Sequence, residues 1–140
     1  MEIYRGSCHC GAIGFEYSTE LPPSEWDVRA CQCSFCKANA SACTSDPSGQ
    51  VAFKLTEKSE LQRYRFGLRT TDFLVCRNCG VYIGAVLHGA AGDFATINTR
   101  AIASVQGSIP VPRPVELGGE STDARLARRQ AKWTPVTRRD

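Results

Sequence analysis

The sequence predicts a mainly β, sandwich-like domain, with one short helix near the C-terminus. Three observations lead there. Short runs alternate apolar and polar residues, as Ile13, Phe15 and Tyr17 do against Gly14, Glu16 and Ser18, which is the period of a half-buried strand. Glycine and proline punctuate these runs at short intervals, the pattern of many short strands rather than of alternating strands and helices. A helical period is sustained only over residues 121–132, where Ala124, Ala127 and Ala131 recur among Arg125, Arg128, Arg129 and Lys132.

Taken in order, residues 3–10 read as a strand entering a tight turn at Cys8-His9-Cys10-Gly11, and 12–18 as its partner. Pro22-Pro23-Ser24 breaks the chain, and Trp26-Asp27-Val28 starts a short strand that delivers Cys31. Ser34 is placed to cap a helical turn through Ala40, or to hold a plain turn. Asp46-Pro47-Ser48-Gly49 is a turn before a strand at 51–55, and further strands are expected at 61–66, 73–75, 81–87 and 94–98. The run 81–87 is continuously apolar and so central. Pro110-Val111-Pro112-Arg113-Pro114 reads as a stiff extended linker to the helix.

At 140 residues, with 42% apolar and 22% charged residues, the chain has the size and composition of one globular domain. No run approaches the ~20 apolar residues of a membrane span. The opening Met1-Glu2-Ile3-Tyr4-Arg5-Gly6 lacks the apolar stretch of a secretory signal, so a cytoplasmic location is expected. In a reducing compartment the eight cysteines read as metal ligands, with a disulfide framework as the alternative. The formal charge of +3 counts every thiol as neutral, and two zinc ions on seven thiolates would bring it to zero. That removes most of the case for a nucleic-acid partner.

Seven cysteines fall into three clusters, Cys8/Cys10, Cys31/Cys33/Cys36 and Cys76/Cys79. Cys10 is followed by Gly11 and Cys79 by Gly80, and a glycine after the second ligand lets backbone amides turn toward the sulfurs. Such knuckles pair to close a four-thiolate site, which leaves Cys31, Cys33 and Cys36 as a three-thiolate set. Zinc takes four protein ligands in a structural site, but three and an open position in a catalytic one. A rival partition gives the middle cluster Cys43 as a fourth ligand and no chemistry; otherwise Cys43 is a small buried hydrophobe beside Ala42. An iron–sulfur cluster would also accept four thiolates, though no spacing here follows a ferredoxin pattern.

The segments Gly6-Ser7-Cys8-His9-Cys10-Gly11, Cys31-x-Cys33-Ser34-x-Cys36, Leu61-x-x-Tyr64 and Cys76-x-x-Cys79-Gly80 together resemble the glutathione-dependent formaldehyde-activating enzyme (Gfa) family, also called the centromere-protein-V/Gfa domain. The resemblance implies an Mss4-like β-tent, two small antiparallel sheets stapled by zinc, with two zincs per chain. It puts the structural zinc on Cys8, Cys10, Cys76 and Cys79, and the catalytic zinc on Cys31, Cys33 and Cys36. It divides the chain into a Gfa-like zinc-binding domain at 1–109, followed at 110–140 by the linker and a basic helix and tail packed on or beside it. Val81 after the last Cys-Gly, where many relatives carry Ser or Thr, and Val75 before Cys76 depart from the family pattern.

The implied activity is that of a zinc-dependent carbon–sulfur lyase of the S-(hydroxymethyl)glutathione synthase type, with a small thiol such as glutathione and an aldehyde as partners and no membrane. An open three-thiolate zinc suits it, because a thiol bound there loses its proton more easily. Arg69, Lys54 and Arg100 are candidates to meet substrate carboxylates, or else solvated charges; His88 is a candidate acid or base, and His9 a bystander in the knuckle. Trp26, Phe35 and Tyr64 either wall the pocket or pack the core. The alternative function is a non-catalytic zinc-scaffolded binding module that uses Arg125, Arg128, Arg129, Lys132, Arg138 and Arg139 against an acidic partner or nucleic acid.

Overall fold

Eleven strands and two helices follow one another in a computed structural model, which describes residues 1–67 and 69–139. Their order is β1 (Glu2–Ser7), β2 (Gly14–Thr19), β3 (Arg29–Cys31), α1 (Ser34–Ala38), β4 (Cys43–Thr44), β5 (Gln50–Lys54), β6 (Leu61–Tyr64), β7 (Asp72–Cys76), β8 (Tyr82–Gly89), β9 (Gly92–Asn98), β10 (Arg113–Val115), α2 (Thr122–Lys132) and β11 (Thr134–Arg139). The fold is mainly β with a short C-terminal helix, as the alternating runs predict.

One sheet is built on the β1–β2 hairpin, with β5 antiparallel to β2. The other is built on the antiparallel run β6–β7–β8–β9. The free edge of β9 carries β4 at Ile97 and Asn98, and β4 passes the sheet on through β3 to β10. Apolar residues from both sheets close on one core that includes Phe15, Tyr17, Val51, Phe53, Ile83, Val86 and Ile97. Trp26 stacks edge-on against Tyr4 and Tyr17 in that core.

The two sheets are joined by β11. Thr134 and Pro135 pair antiparallel with β9, and from Val136 onward the strand runs parallel to β5. A second parallel ladder sets Arg113, Pro114 and Val115 beside Arg29, Ala30 and Cys31. The expected pair of antiparallel sheets is thus completed by two parallel strands, both from the C-terminal tail. The proline-rich stretch expected as a linker contains β10, an edge strand. Arg113 donates its N–H inward to the Val28 carbonyl at 2.8 Å, and the Val115 carbonyl accepts from Gln32 N–H at 3.0 Å. Pro114 falls between these inward-facing groups, on the outer edge where its missing N–H costs no ladder bond.

The helix begins one residue after its cap, since Ser121 Oγ accepts from the Ala124 amide at 3.1 Å. Its contact with the body is narrow: Leu126 packs on a small cluster of Ala85, Leu87 and Trp133. The helix end is tied down by polar bonds, as Ser45 Oγ donates to the Lys132 carbonyl and the Asp46 amide donates to Thr134 Oγ1. No helix among the described residues is long and apolar enough to cross a membrane.

Candidate metal centres and functional site

The turns after β1 and β7 are built alike. The Cys8 amide donates to the Ile13 carbonyl and the Gly11 amide to the Cys8 carbonyl; likewise Cys76 donates to Val81, and Gly80 to Cys76. Gly11 and Gly80 take φ of 86° and 83°, the left-handed region that glycine enters at least cost. Backbone amides reach the sulfurs in both turns, Ile13 N to Cys8 Sγ and Cys79 N to Cys76 Sγ, each at 3.4 Å. The Sγ atoms of Cys8, Cys10, Cys76 and Cys79 all lie within 4.8 Å of one another. Sulfurs on a tetrahedral zinc, with bonds of about 2.3 Å, stand about 3.8 Å apart. Here Cys8–Cys10 is 3.8 Å and Cys10–Cys76 is 3.6 Å, so the donor set fits such an ion. The cluster ties a hairpin of one sheet to a hairpin of the other.

The second set is held by β3 and α1. Cys31 ends β3, Cys33 is the N-cap of α1, and Cys36 lies inside the helix. The cap is a sulfur where the sequence pointed to Ser34: Cys33 Sγ accepts from the Cys36 amide at 3.4 Å. The three sulfurs lie within 4.8 Å of one another. A hydrogen bond from Cys36 is the main force that brings the Cys31 thiol down to about 5, with the Arg128 charge helping, while the same bond and burial push Cys36 up.

Cys43 stays outside both sets of sulfurs. Its Sγ sits 3.8 Å from Tyr82 Oη, and burial pushes its thiol up to about 11. The Tyr82 hydroxyl is raised well above its ordinary value, first by burial, so both groups stay neutral.

Cys31, Cys33 and Cys36 line a cavity of about 120 Å³. One water needs roughly 10–15 Å³ on this measure, so the space suits a ligand. Its apolar wall includes Phe66, Phe73, Tyr82 and Trp133. Phe35 and Tyr64 stack on that wall, Phe35 at 4.9 Å from Phe73 and Tyr64 at 5.5 Å from Phe66, while Trp26 belongs to the core. None of Lys54, Arg69 and Arg100 lines the cavity. Lys54 pairs with Glu16, Arg100 bonds the Ala40 carbonyl, and Arg69 is exposed in a loop. His88 lies between Asp72 and Asp93, at 3.0 and 3.1 Å, away from the cavity lining.

Arg29, Arg125, Arg128 and Arg129 line it instead. Three of these come from α2, the helix whose basic residues the sequence offered to an acidic partner in the alternative function. The side chains of Arg138 and Arg139 lie outside the described set. Helical spacing did place Arg125, Arg128 and Arg129 together, but nothing local to α2 says that this face turns toward β3.

A family model described as glutathione-dependent formaldehyde-activating enzyme matches residues 3–111. The chain belongs to that family. A solved structure, the crystal structure of a Rhodobacter sphaeroides protein, is similar to this Gfa-family chain with 27% identity and a TM-score of 0.53, over 76% of this chain and 97% of the other. Both cysteine sets fall within the Gfa match, whereas α2 and β11 lie beyond it. The cavity of this Gfa-family member is therefore walled on one side by a segment outside the family match.

Proposed function

We propose that the chain is a zinc-dependent carbon–sulfur lyase that makes and breaks adducts between a small thiol, such as glutathione, and an aldehyde. The catalytic zinc is assigned to Cys31, Cys33 and Cys36, and a structural zinc to Cys8, Cys10, Cys76 and Cys79. The observation that carries this reading is the difference between the two sets: the three-sulfur set lines the ligand-sized cavity, and none of the four other sulfur ligands lines it. Membership of the Gfa family supports the glutathione and aldehyde chemistry.

When bound, zinc with three thiolates would supply an exchangeable position at which a thiol is held as thiolate. In the forward reaction the thiol sulfur forms a bond to the carbonyl carbon, the C=O π bond becomes a C–O bond, and the thiol proton ends on the new hydroxyl. The chain's own part is positioning and electrostatics. The Cys36 amide holds the Cys33 sulfur in place, and Arg128 puts positive charge near Cys31. Phe66, Phe73 and Trp133 keep water from one side of the cavity. On this reading residues 1–109 carry both metals, residues 110–140 pack against them to close the cavity, and the protein works in the cytoplasm.

The test is exchange between formaldehyde hydrate and S-hydroxymethylglutathione, followed by NMR, with zinc-loaded protein. Exchange above the uncatalysed rate, lost in Cys33→Ser, is the expected result. Wild-type protein carrying two metals that accelerates no thiol–aldehyde exchange would overturn the reading.

A further inference from the structure

The cavity is asymmetric in charge. Among the described residues four arginines line it and no carboxylate does. Arg29 is drawn aside by Asp27, at 3.4 Å, and by the Ser45 and Thr96 hydroxyls. Glu120 holds Arg128 at 2.8 and 2.9 Å and approaches Arg125 at 3.7 Å. Among the described residues Arg129 has no carboxylate among its ion pairs and hydrogen bonds. Its Nη1 donates to the Thr70 and Thr71 hydroxyls, its guanidinium carbon lies 4.8 Å from the centre of the Trp133 ring, and its Nε is buried without a partner.

Holding a guanidinium in a desolvated place with no carboxylate in contact is costly, and a buried donor left unsatisfied adds to the cost. Anchoring α2 uses one guanidinium nitrogen, and the Glu120 charge, already held by Arg128, acts on Arg129 only from a distance. An anion in the cavity offsets the charge, and a planar guanidinium suits a carboxylate in particular. The three cysteine sulfurs and this cation line the same cavity, so one ligand could present sulfur to a metal held by the first and carboxylate to the second.

The geometry points to Arg129, with Arg128 beside it, as a carboxylate subsite that restricts the lyase to acidic thiols. The inference rests on the proposed thiol chemistry of the three-cysteine set and deepens it. It assigns the choice of substrate charge to α2, outside the segment that the Gfa family model matches. Two acidic carriers are compatible with it, a glutathione-like peptide thiol and a smaller mercapto acid, and the experiment separates them.

Calorimetric titrations of zinc-loaded protein would use glutathione, glutathione diethyl ester, mercaptosuccinate and 2-mercaptoethanol. Glutathione or mercaptosuccinate is expected to bind about tenfold or more tightly than the ester and 2-mercaptoethanol, and whichever acid binds more tightly identifies the carrier. Arg129→Gln should lose that preference while keeping its affinity for the neutral thiols. Arg129→Lys, which keeps the charge and the stem over Trp133, should recover part of it. Should Arg129→Gln fold poorly, Arg128→Gln provides the same comparison with α2 still anchored by Arg129. Equal affinity for acidic and neutral thiols would overturn the subsite and leave the lyase reading standing. Failure of every thiol to bind would overturn both.

Discussion

The Cys36 backbone amide donates to Cys33 Sγ at 3.4 Å, so the α1 N-cap and a proposed metal ligand are the same atom. Serine is itself a good N-cap, and Cys33→Ser keeps an oxygen where the helix needs an acceptor. The variant should therefore stay folded and lose one of two bound zincs. Cys76→Ser removes a ligand from the cluster that ties the two sheets, and should lower the melting temperature sharply or abolish soluble expression. Metal content by atomic emission, with thermal melts, checks both. Equal damage from the two substitutions would refute the division into structural and catalytic sites.

Cys43 offers the complementary case. Its sulfur lies against Tyr82 and outside the three-sulfur set. Cys43→Ala should keep both metals and cost about 1 kcal/mol or less in urea unfolding, the loss of one small buried group. Loss of a metal would make Cys43 a ligand and remove the vacancy on which the lyase reading depends.

Asp72 sets a pH dependence. Burial pushes its carboxyl up, but hydrogen bonds from Arg65 and His88 outweigh this and hold it below the usual carboxylate range. A depressed carboxylate stabilises the fold above its unfolded value of about 3.9, and that contribution fades as pH falls through the folded value. Asp72→Asn should therefore cost about 1–3 kcal/mol at pH 7, and the gap from wild type should narrow below pH ~4. Urea unfolding of both proteins across that range measures it, and a gap independent of pH would exclude the ionised contact as its source.

Thr134 tests the join between the sheets. Its hydroxyl accepts the buried Asp46 amide at 2.8 Å, at the point where β11 leaves β9 for β5. Thr134→Val keeps the shape and orphans that amide, an expected loss of about 1–3 kcal/mol with metal content unchanged. No loss of stability would mean that the amide finds another partner.

Local chemistry was legible without the fold. The glycines after Cys10 and Cys79 point to the positive φ that both turns adopt, and alternation along 13–17 and 51–55 locates β2 and β5. Elements recognised by distant partners were not legible. β11 has the polar sequence Thr134-Pro135-Val136-Thr137-Arg138-Arg139, with no alternation to mark it, because its ladder partners β9 and β5 define it. Pro114 argues against a central strand, and β10 exists because an edge tolerates it.

The sequence by itself determined the cysteine knuckles, the three local cysteine clusters and the family, since ligand spacing and glycine conformation act over a few neighbouring residues. Only the tertiary structure decided which charges face the sulfurs. Lys54, Arg69 and Arg100 looked placed to do so, but Arg125, Arg128 and Arg129 face the cavity from a helix some ninety residues beyond Cys36 in the chain. That choice depends on how Leu126, Lys132 and Thr134 dock α2 against residues of other strands, and no local pattern in the helix encodes it.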